Sequence, residues 1–258
     1  MPNSTVRAEI NSAGIATVTL NRPEVHNAFN EVLIAELTAQ LVELGADGQV
    51  RVVIVGGEGR SFCAGADLDW MRRTAAYSRE ENLADALNAA EMLRTLNELP
   101  KPTVAAVHGA AFGGGVGLVA CCDVAIASGS ATFSFSEVRL GLIPAVISPY
   151  VIAAIGERQA RRYFLTAERF SATDARRIGL VHEVTTAESL SSRVEAIAQE
   201  LLSGGPESLR AAKDLIRTVA RRSGDESLAA ETARRIAEIR AGDEARQSIR
   251  RFFEKRKR

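Results

Sequence analysis

Two short loops and one carboxylate carry the residue types in this chain that are suited to chemistry. The first loop is Phe62-Cys63-Ala64-Gly65-Ala66-Asp67, and the second is Phe112-Gly113-Gly114-Gly115-Val116-Gly117. Three consecutive glycines are unfavourable in a strand and in a helix interior alike. They mark a tight turn between packed elements, or a place where backbone must come very close to something. Residues 116–122 then read as a helix or its first turns. A helix that begins after glycines offers unpaired N–H groups and the positive end of its dipole. That is a site for a phosphate or for a developing oxyanion. Each loop follows a buried strand. If adjacent strands carry the two loops, their N–H groups can converge on one oxygen, as enolate or tetrahedral chemistry on a carbonyl requires. Each donor would then contribute roughly 3 kcal/mol to the transition state. Neither loop carries the Lys-Ser/Thr of a P-loop or the Gly-x-Gly-x-x-Gly of a dinucleotide fold.

Glu137 stands between Ser136 and Val138 in an apolar, loop-like stretch. A carboxylate there can have a raised pKa and serve as acid or base; it can equally cap a turn or pair with Arg139. His26, His108 and His182 lie far apart and have no His-x-x-His or Cys-x-x-Cys partner, so no metal site is expected. There is no Gly-x-Ser-x-Gly elbow, which argues against a Ser–His–Asp hydrolase. Trp70 and Met71 suit a core or pocket wall. The basic end, residues 250–258, reads either as a solvated helix terminus that suits the dipole or as a phosphate contact, on a nucleotide-bearing ligand or on RNA.

The elements that must position these residues follow from the pattern of apolar positions. Residues 6–10 and 15–20 form a hairpin across Asn11-Ser12-Ala13-Gly14. A helix spans 30–46, with Val32, Leu33, Leu37, Leu41 and Leu44 on one stripe. Short buried strands are expected at 51–55 and 104–107, with a long helix at 80–98 between them that ends at Leu99-Pro100. Strands at 123–127 and 132–135 follow, then helices at 151–155, 157–165 and 172–178, and one more strand at 181–184. From Ala187 onward the chain reads as helices separated by Gly204-Gly205-Pro206 and Ser223-Gly224-Asp225. The pattern is a layered α/β core followed by a helical cap. A weak internal echo, strand then small-residue loop then helix, occurs around Arg51 and again around Thr103.

Composition removes several classes of function. The 258 residues carry 32 basic and 32 acidic side chains, so no global charge draws the chain to nucleic acid or a membrane surface. Cys63, Cys121 and Cys122, an odd count with a vicinal pair, suit reduced, mostly buried thiols. With no signal-peptide pattern and no apolar run near the roughly 18 residues of a membrane span, the expected location is cytoplasmic.

Asn21-Arg22-Pro23 with Asn27-Ala28, the loop 62–67, the run 111–115 and the segment from Glu137 through Gly141 to Pro144 together resemble the crotonase, or enoyl-CoA hydratase/isomerase, superfamily. Ser171-Ala172 with Ala175, Gly179-Leu180-Val181 and Phe253-Glu254-Lys255-Arg256-Lys257 add weaker support. The resemblance implies an α/β fold, a crotonase-like spiral of repeated ββα units over 1–200 that holds the acyl-CoA site. A C-terminal helical region over 201–258 would help form homotrimers, which pair into homohexamers. It implies an acyl-CoA thioester substrate, with coenzyme A part of the substrate and no separate cofactor. By motif position, the enolate would be held by the N–H groups of Ala66 and Gly114, with Glu137 as the proton carrier. Substrate and coenzyme A contacts would fall at Arg22, Val25, Ala64, Ala66, Asp67, Leu68, Gly114 and Gly117. Lys255 would meet a phosphate, reaching a neighbouring subunit's site.

Two departures from the family pattern stand out. Hydratases of this family carry a second glutamate where this chain has Gly117, and a glycine-rich loop where it has Pro144-Ala145-Val146-Ile147-Ser148-Pro149. Losing a positioned acid/base group costs on the order of 10²- to 10⁴-fold unless something replaces it. Gly117 is expected to free volume beside the β-carbon for a methyl group or a substrate carboxylate. Within the superfamily, 115–123 and 136–145 look most like bacterial methylglutaconyl-CoA hydratases of leucine breakdown and the related carboxygeranoyl-CoA hydratases of terpenoid breakdown. Three readings follow. The first is hydration of a branched or carboxylated 2-enoyl-CoA, and the second is Δ3,Δ2-enoyl-CoA isomerisation by one glutamate. The third is an RNA-binding role for the basic tail, which zero net charge and sparse aromatics disfavour.

Overall fold

A computed structural model describes residues 4–220, 222 and 224–255, with the side chain of Lys255 outside that description. Strands β1 (Val6–Ile10) and β2 (Ile15–Leu20) form the expected antiparallel hairpin. Helix α1 (Glu31–Ala46) starts at Asn30, whose side chain accepts from the Leu33 N–H, and leads to β3 (Val52–Gly57). Helices α2 (Leu68–Thr74) and α3 (Arg79–Asn97) precede β4 (Thr103–Val107). Next come β5 (Ala110–Phe112), α4 (Gly114–Cys121), β6 (Val124–Ser128) and β7 (Thr132–Ser134). A 3-10 turn at Glu137–Leu140 leads into α5 (Ser148–Thr166), followed by β8 (Phe170–Ser171), α6 (Ala172–Arg177) and β9 (Glu183–Thr185). Four helices end the described chain: α7 (Leu190–Ser203), α8 (Pro206–Val219), α9 (Glu226–Ala241) and α10 (Asp243–Lys255).

The main sheet has the order β1-β2-β3-β4-β6-β9, parallel at every pairing after the first hairpin. Parallel strands need both faces covered, and the side-chain alternation of β3 does this. Val53 and Val55 enter the larger core with α1, α3 and α4, while Val52 and Ile54 pack with Leu190, Val194 and Ala198 of α7. A smaller sheet, β5-β7-β8, stands beyond the C-terminal ends of β4 and β6. Its underside is aromatic, with Tyr163 and Phe170 ring centroids 4.2 Å apart and Phe133 stacked beside them.

Several expectations needed correction. On α1, Val32 is exposed and Ile34 takes its place in the core. The two helices expected at 151–155 and 157–165 are present, and they meet within α5 at Gly156, whose φ of 74° and ψ of 159° are non-helical. Helix α2, the short strand β5 and the break at Gly242 were not expected. The echo between the two strand–loop–helix units is real in space: β3 and β4 are parallel neighbours, and the loops that follow them also pair.

Candidate active site

Three parallel extended segments bring the candidate groups together. Cys63 bridges to Ala111, donating its N–H to Ala110 O and accepting from the Phe112 N–H. Ala111 is in register with Phe133 across β5 and β7. Three residues beyond this row stand Ala66, Gly114 and Ser136, the last adjoining Glu137. Segments running side by side in one direction therefore deliver both loops and the carboxylate to the same end of the layer.

The second loop turns at Gly113, whose φ of 47° and ψ of −116° suit only glycine. Its N–H is held by Ser134 O at 2.9 Å. A side chain here would also strike the catalytic candidate, because an added Cβ would lie 3.0 Å from Glu137 Oε1. The carboxylate thus rests on the Gly113 Cα, beside the first turn of α4. Glu137 Oε2 is buried and accepts no hydrogen bond among the described residues. Burial pushes its pKa above the usual carboxylate value, and a hydrogen bond from its own backbone only partly opposes this.

The two expected donors are free. Neither the Ala66 N–H nor the Gly114 N–H donates to an acceptor among the described residues. Ala66 is exposed and Gly114 half-buried. The arrangement offers two backbone donors and one half-buried carboxylate, a combination able to stabilise an enolate and to move a proton.

The first loop is held by an internal clamp. Asp67 caps α2, accepting from the Asp69 and Trp70 N–H groups, and pairs with Arg22 at 2.8 Å. Arg22 also donates to Ala28 O at 2.6 Å. The pair is nearly enclosed, with 15% and 9% of the two side chains exposed. Burial raises the Asp67 pKa, but the Trp70 N–H, Arg22 and the Asp69 N–H outweigh it and hold the carboxyl below its ordinary value. Ala64 donates its N–H to His26 O, while Val25 and Leu68 are exposed. Arg22, Val25, Ala64, Asp67 and Leu68 thus all belong to the turn at 21–29 or to the loop it clamps. Lys255 ends α10, and the contact expected of its side chain lies outside the described residues.

Gly117 does not open space. An added Cβ would lie 2.4 Å from Ile147 Cγ2 and 3.4 Å from Leu93 Cδ2, and Ile147 is only 2% exposed. Ile147 therefore fills the space beside Gly117 that a branch or carboxylate was expected to take. The two sequence departures, at 117 and in the segment 144–149, are one packing arrangement, an isoleucine seated on a glycine.

Two histidines serve the backbone, His108 meeting Gly59 O and His182 Nδ1 accepting the Ala125 N–H, while His26 Nδ1 meets Ser61 Oγ. Cys63, Cys121 and Cys122 are buried free thiols, with Cys63 and Cys122 pushed up to about 12 by burial. No group of three His, Cys, Asp or Glu side chains among the described residues is arranged to hold a metal. Sequence reasoning missed Phe29 and Ile147, which touch the site through packing and carry no chemical signature.

The family model described as enoyl-CoA hydratase/isomerase matches residues 10–258. A crystal structure of an enoyl-CoA hydratase from Shewanella pealeana superposes with a TM-score of 0.94 at 41% identity, covering 97% of this chain and 94% of that one. The short-chain-enoyl-CoA hydratase of Clostridium acetobutylicum is 32% identical over 94% of this chain and 92% of its own length. The crotonyl-CoA hydratase of Syntrophomonas wolfei is 35% identical over 77% and 76%. By these matches and by the fold that carries the paired loops, the chain belongs to the enoyl-CoA hydratase/isomerase family.

Proposed function

We propose that this chain adds water across the 2,3-double bond of a 2-enoyl-CoA, with Glu137 as its single proton carrier. The supporting observation is the half-buried Glu137 carboxyl, whose Oε2 accepts no hydrogen bond among the described residues, lying against Gly113, one residue from a free N–H at the start of α4. In this scheme the thioester oxygen sits between the Ala66 and Gly114 N–H groups. Glu137 takes a proton from water as the water oxygen bonds to the β-carbon. The π electrons move onto the thioester oxygen, giving an enolate. Glu137 then returns the proton to the α-carbon and the carbonyl reforms, so one water is added and the glutamate is regenerated.

Glu137→Gln should lower kcat by at least 10²-fold and leave the affinity for a CoA ester within a few-fold. Retained turnover would sink the assignment. For the acyl chain we propose a branched or carboxylated group of the 3-methylglutaconyl type, supported by the runs 115–123 and 136–145 alone. Faster loss of enoyl-thioester absorbance with 3-methylglutaconyl-CoA than with crotonyl-CoA is the expected result; equal or slower loss rejects the branched assignment.

The absence of a side chain at Gly117 favours one second reading, isomerisation of a 3-enoyl-CoA, because a single carboxylate suffices to shuttle a proton between two carbons. Turnover in heavy-oxygen water separates the two, since hydration incorporates one labelled oxygen and isomerisation none. A homotrimer or homohexamer is part of the same proposal, supported by exposed Ile216, Ile236 and Ile249 on α8, α9 and α10.

A further inference from the structure

We infer that Phe29 is the positioning residue for both backbone donors, its main chain setting Ala66 and its ring setting Gly114. The inference rests on the proposed reading of those two N–H groups as a carbonyl-binding pair.

The main-chain half comes from hydrogen bonds on either side of Ala66. The Phe29 N–H donates to Gly65 O at 2.6 Å, and the Asp67 N–H donates to Phe29 O at 2.8 Å. In a parallel bridge, one residue bonds to the neighbours on both sides of its partner, and the partner's own polar groups point to the opposite edge. Phe29 and Ala66 form such a bridge. The Ala66 N–H is therefore turned away from Phe29 and left without an acceptor. The opposite edge is where the second loop lies: the Cβ that Gly65 lacks would fall 3.0 Å from Phe112 O and 3.9 Å from the Gly113 Cα.

The ring half comes from packing. An added Cβ on Gly114 would lie 2.5 Å from Phe29 Cε2 and 2.7 Å from Cδ2, so the ring edge presses on the first residue of α4. Phe29 is 5% exposed and cannot swing outward into solvent without leaving the core. One residue thus braces both donor-bearing positions, which lie on loops almost fifty positions apart. Beyond the Cys63–Ala111 bridge that joins the loops, the placement of the two N–H groups is set by a rigid ring and two main-chain hydrogen bonds. Neither loop's own sequence fixes that spacing.

The test uses butyryl-CoA, a saturated thioester that cannot be hydrated, and reads its carbonyl stretch by infrared difference spectroscopy. Bound to the wild-type protein, the stretch should fall below its value in water because two donors polarise the carbonyl. Phe29→Ala, and Phe29→Leu as the variant that keeps a buried hydrocarbon, should return the part of that shift that the Gly114 N–H supplies, because the main-chain hydrogen bonds that set Ala66 remain. For hydration, kcat should fall by 10- to 100-fold, short of the 10²- to 10³-fold typical when a donor is removed outright, while KM stays within threefold. Gly114→Ala should cost less in the Phe29→Ala background than alone, since the colliding ring is gone. A full carbonyl shift retained in both Phe29 variants, or Gly114→Ala losses that simply multiply, overturns the inference. No shift in the wild-type protein instead overturns the donor-pair reading itself.

Discussion

In the proposed mechanism, the proton that Glu137 carries is handled by a carboxyl whose burial costs stability. That carboxyl is desolvated, one oxygen accepts no hydrogen bond among the described residues, and its pKa lies above the ordinary value. A carboxyl with a raised pKa binds its proton more tightly in the folded state than in the unfolded chain. Its contribution is therefore fully present below the unfolded value, near 4.5, and is lost as pH rises through the folded one. Glu137→Gln removes the ionisation, so the variant should be more stable than wild type at pH 8, by an amount on the order of 1 kcal/mol. The difference should vanish below about pH 4. Denaturant unfolding at the two pH values measures this, and equal stability at pH 8 would mean that water solvates the carboxylate. The sequence displays Glu137 and the glycines plainly, because a carboxylate among apolar residues and a glycine run are local signals. It hides Ile147: the contact with Gly117 spans thirty positions, and an isoleucine looks the same in any core.

At the scale of elements, the site depends on how the loop after β3 is tied to the turn before α1. Sequence periodicity captures α1, α3 and the parallel strands because each has one face to bury. It does not capture α2, a helix of seven residues with no buried side chain, whose start is set by the Asp67 cap. Nor does it show how an arginine expected against coenzyme A is held within the chain: two nitrogens of Arg22 are engaged by Asp67 and Ala28 O. Asp67→Asn keeps an acceptor for the α2 cap and removes the charge opposite Arg22. Breaking a buried pair in this way costs about 3 kcal/mol, and it should loosen the segment that carries Ala66. The expected kinetic result is a lower kcat with little change in KM. An increase in KM alone, with stability intact, would show that Arg22 and Asp67 act in direct binding instead. Because hydrogen bonds hold the Asp67 carboxyl below its usual range, its stabilisation is present at neutral pH and is lost as pH falls through the folded value.

Across the whole molecule, apolar burial is distributed unevenly between the sheet layers and the last three helices. Helix α7 closes one face of the sheet with Leu190, Val194 and Ala198, whereas α8 has no buried residue and α9 has only Leu228. Charged contacts hold these helices instead. Lys213 on α8 reaches Asp123 Oδ2 at 2.7 Å and Lys101 O at 3.2 Å. Asp123 in turn accepts from the Thr103 N–H and hydroxyl at the start of β4. With 12% of the Lys213 side chain and 32% of that of Asp123 exposed, this link is less open than the Arg234–Glu238 pair on α9, at 56% and 60%. Elements with few buried apolar contacts open locally at a free energy below that of global unfolding. Lys213→Met should therefore act on the C-terminal helices first, leaving Asp123 without its cation and releasing α8. Amide exchange in α8 and α9 should accelerate roughly tenfold, the equivalent of about 1.4 kcal/mol, while β3 and β4 keep their protection. Acceleration that extends equally into β4 and β6 would show instead that the helices and the sheet open as one unit, with Lys213 contributing to global stability.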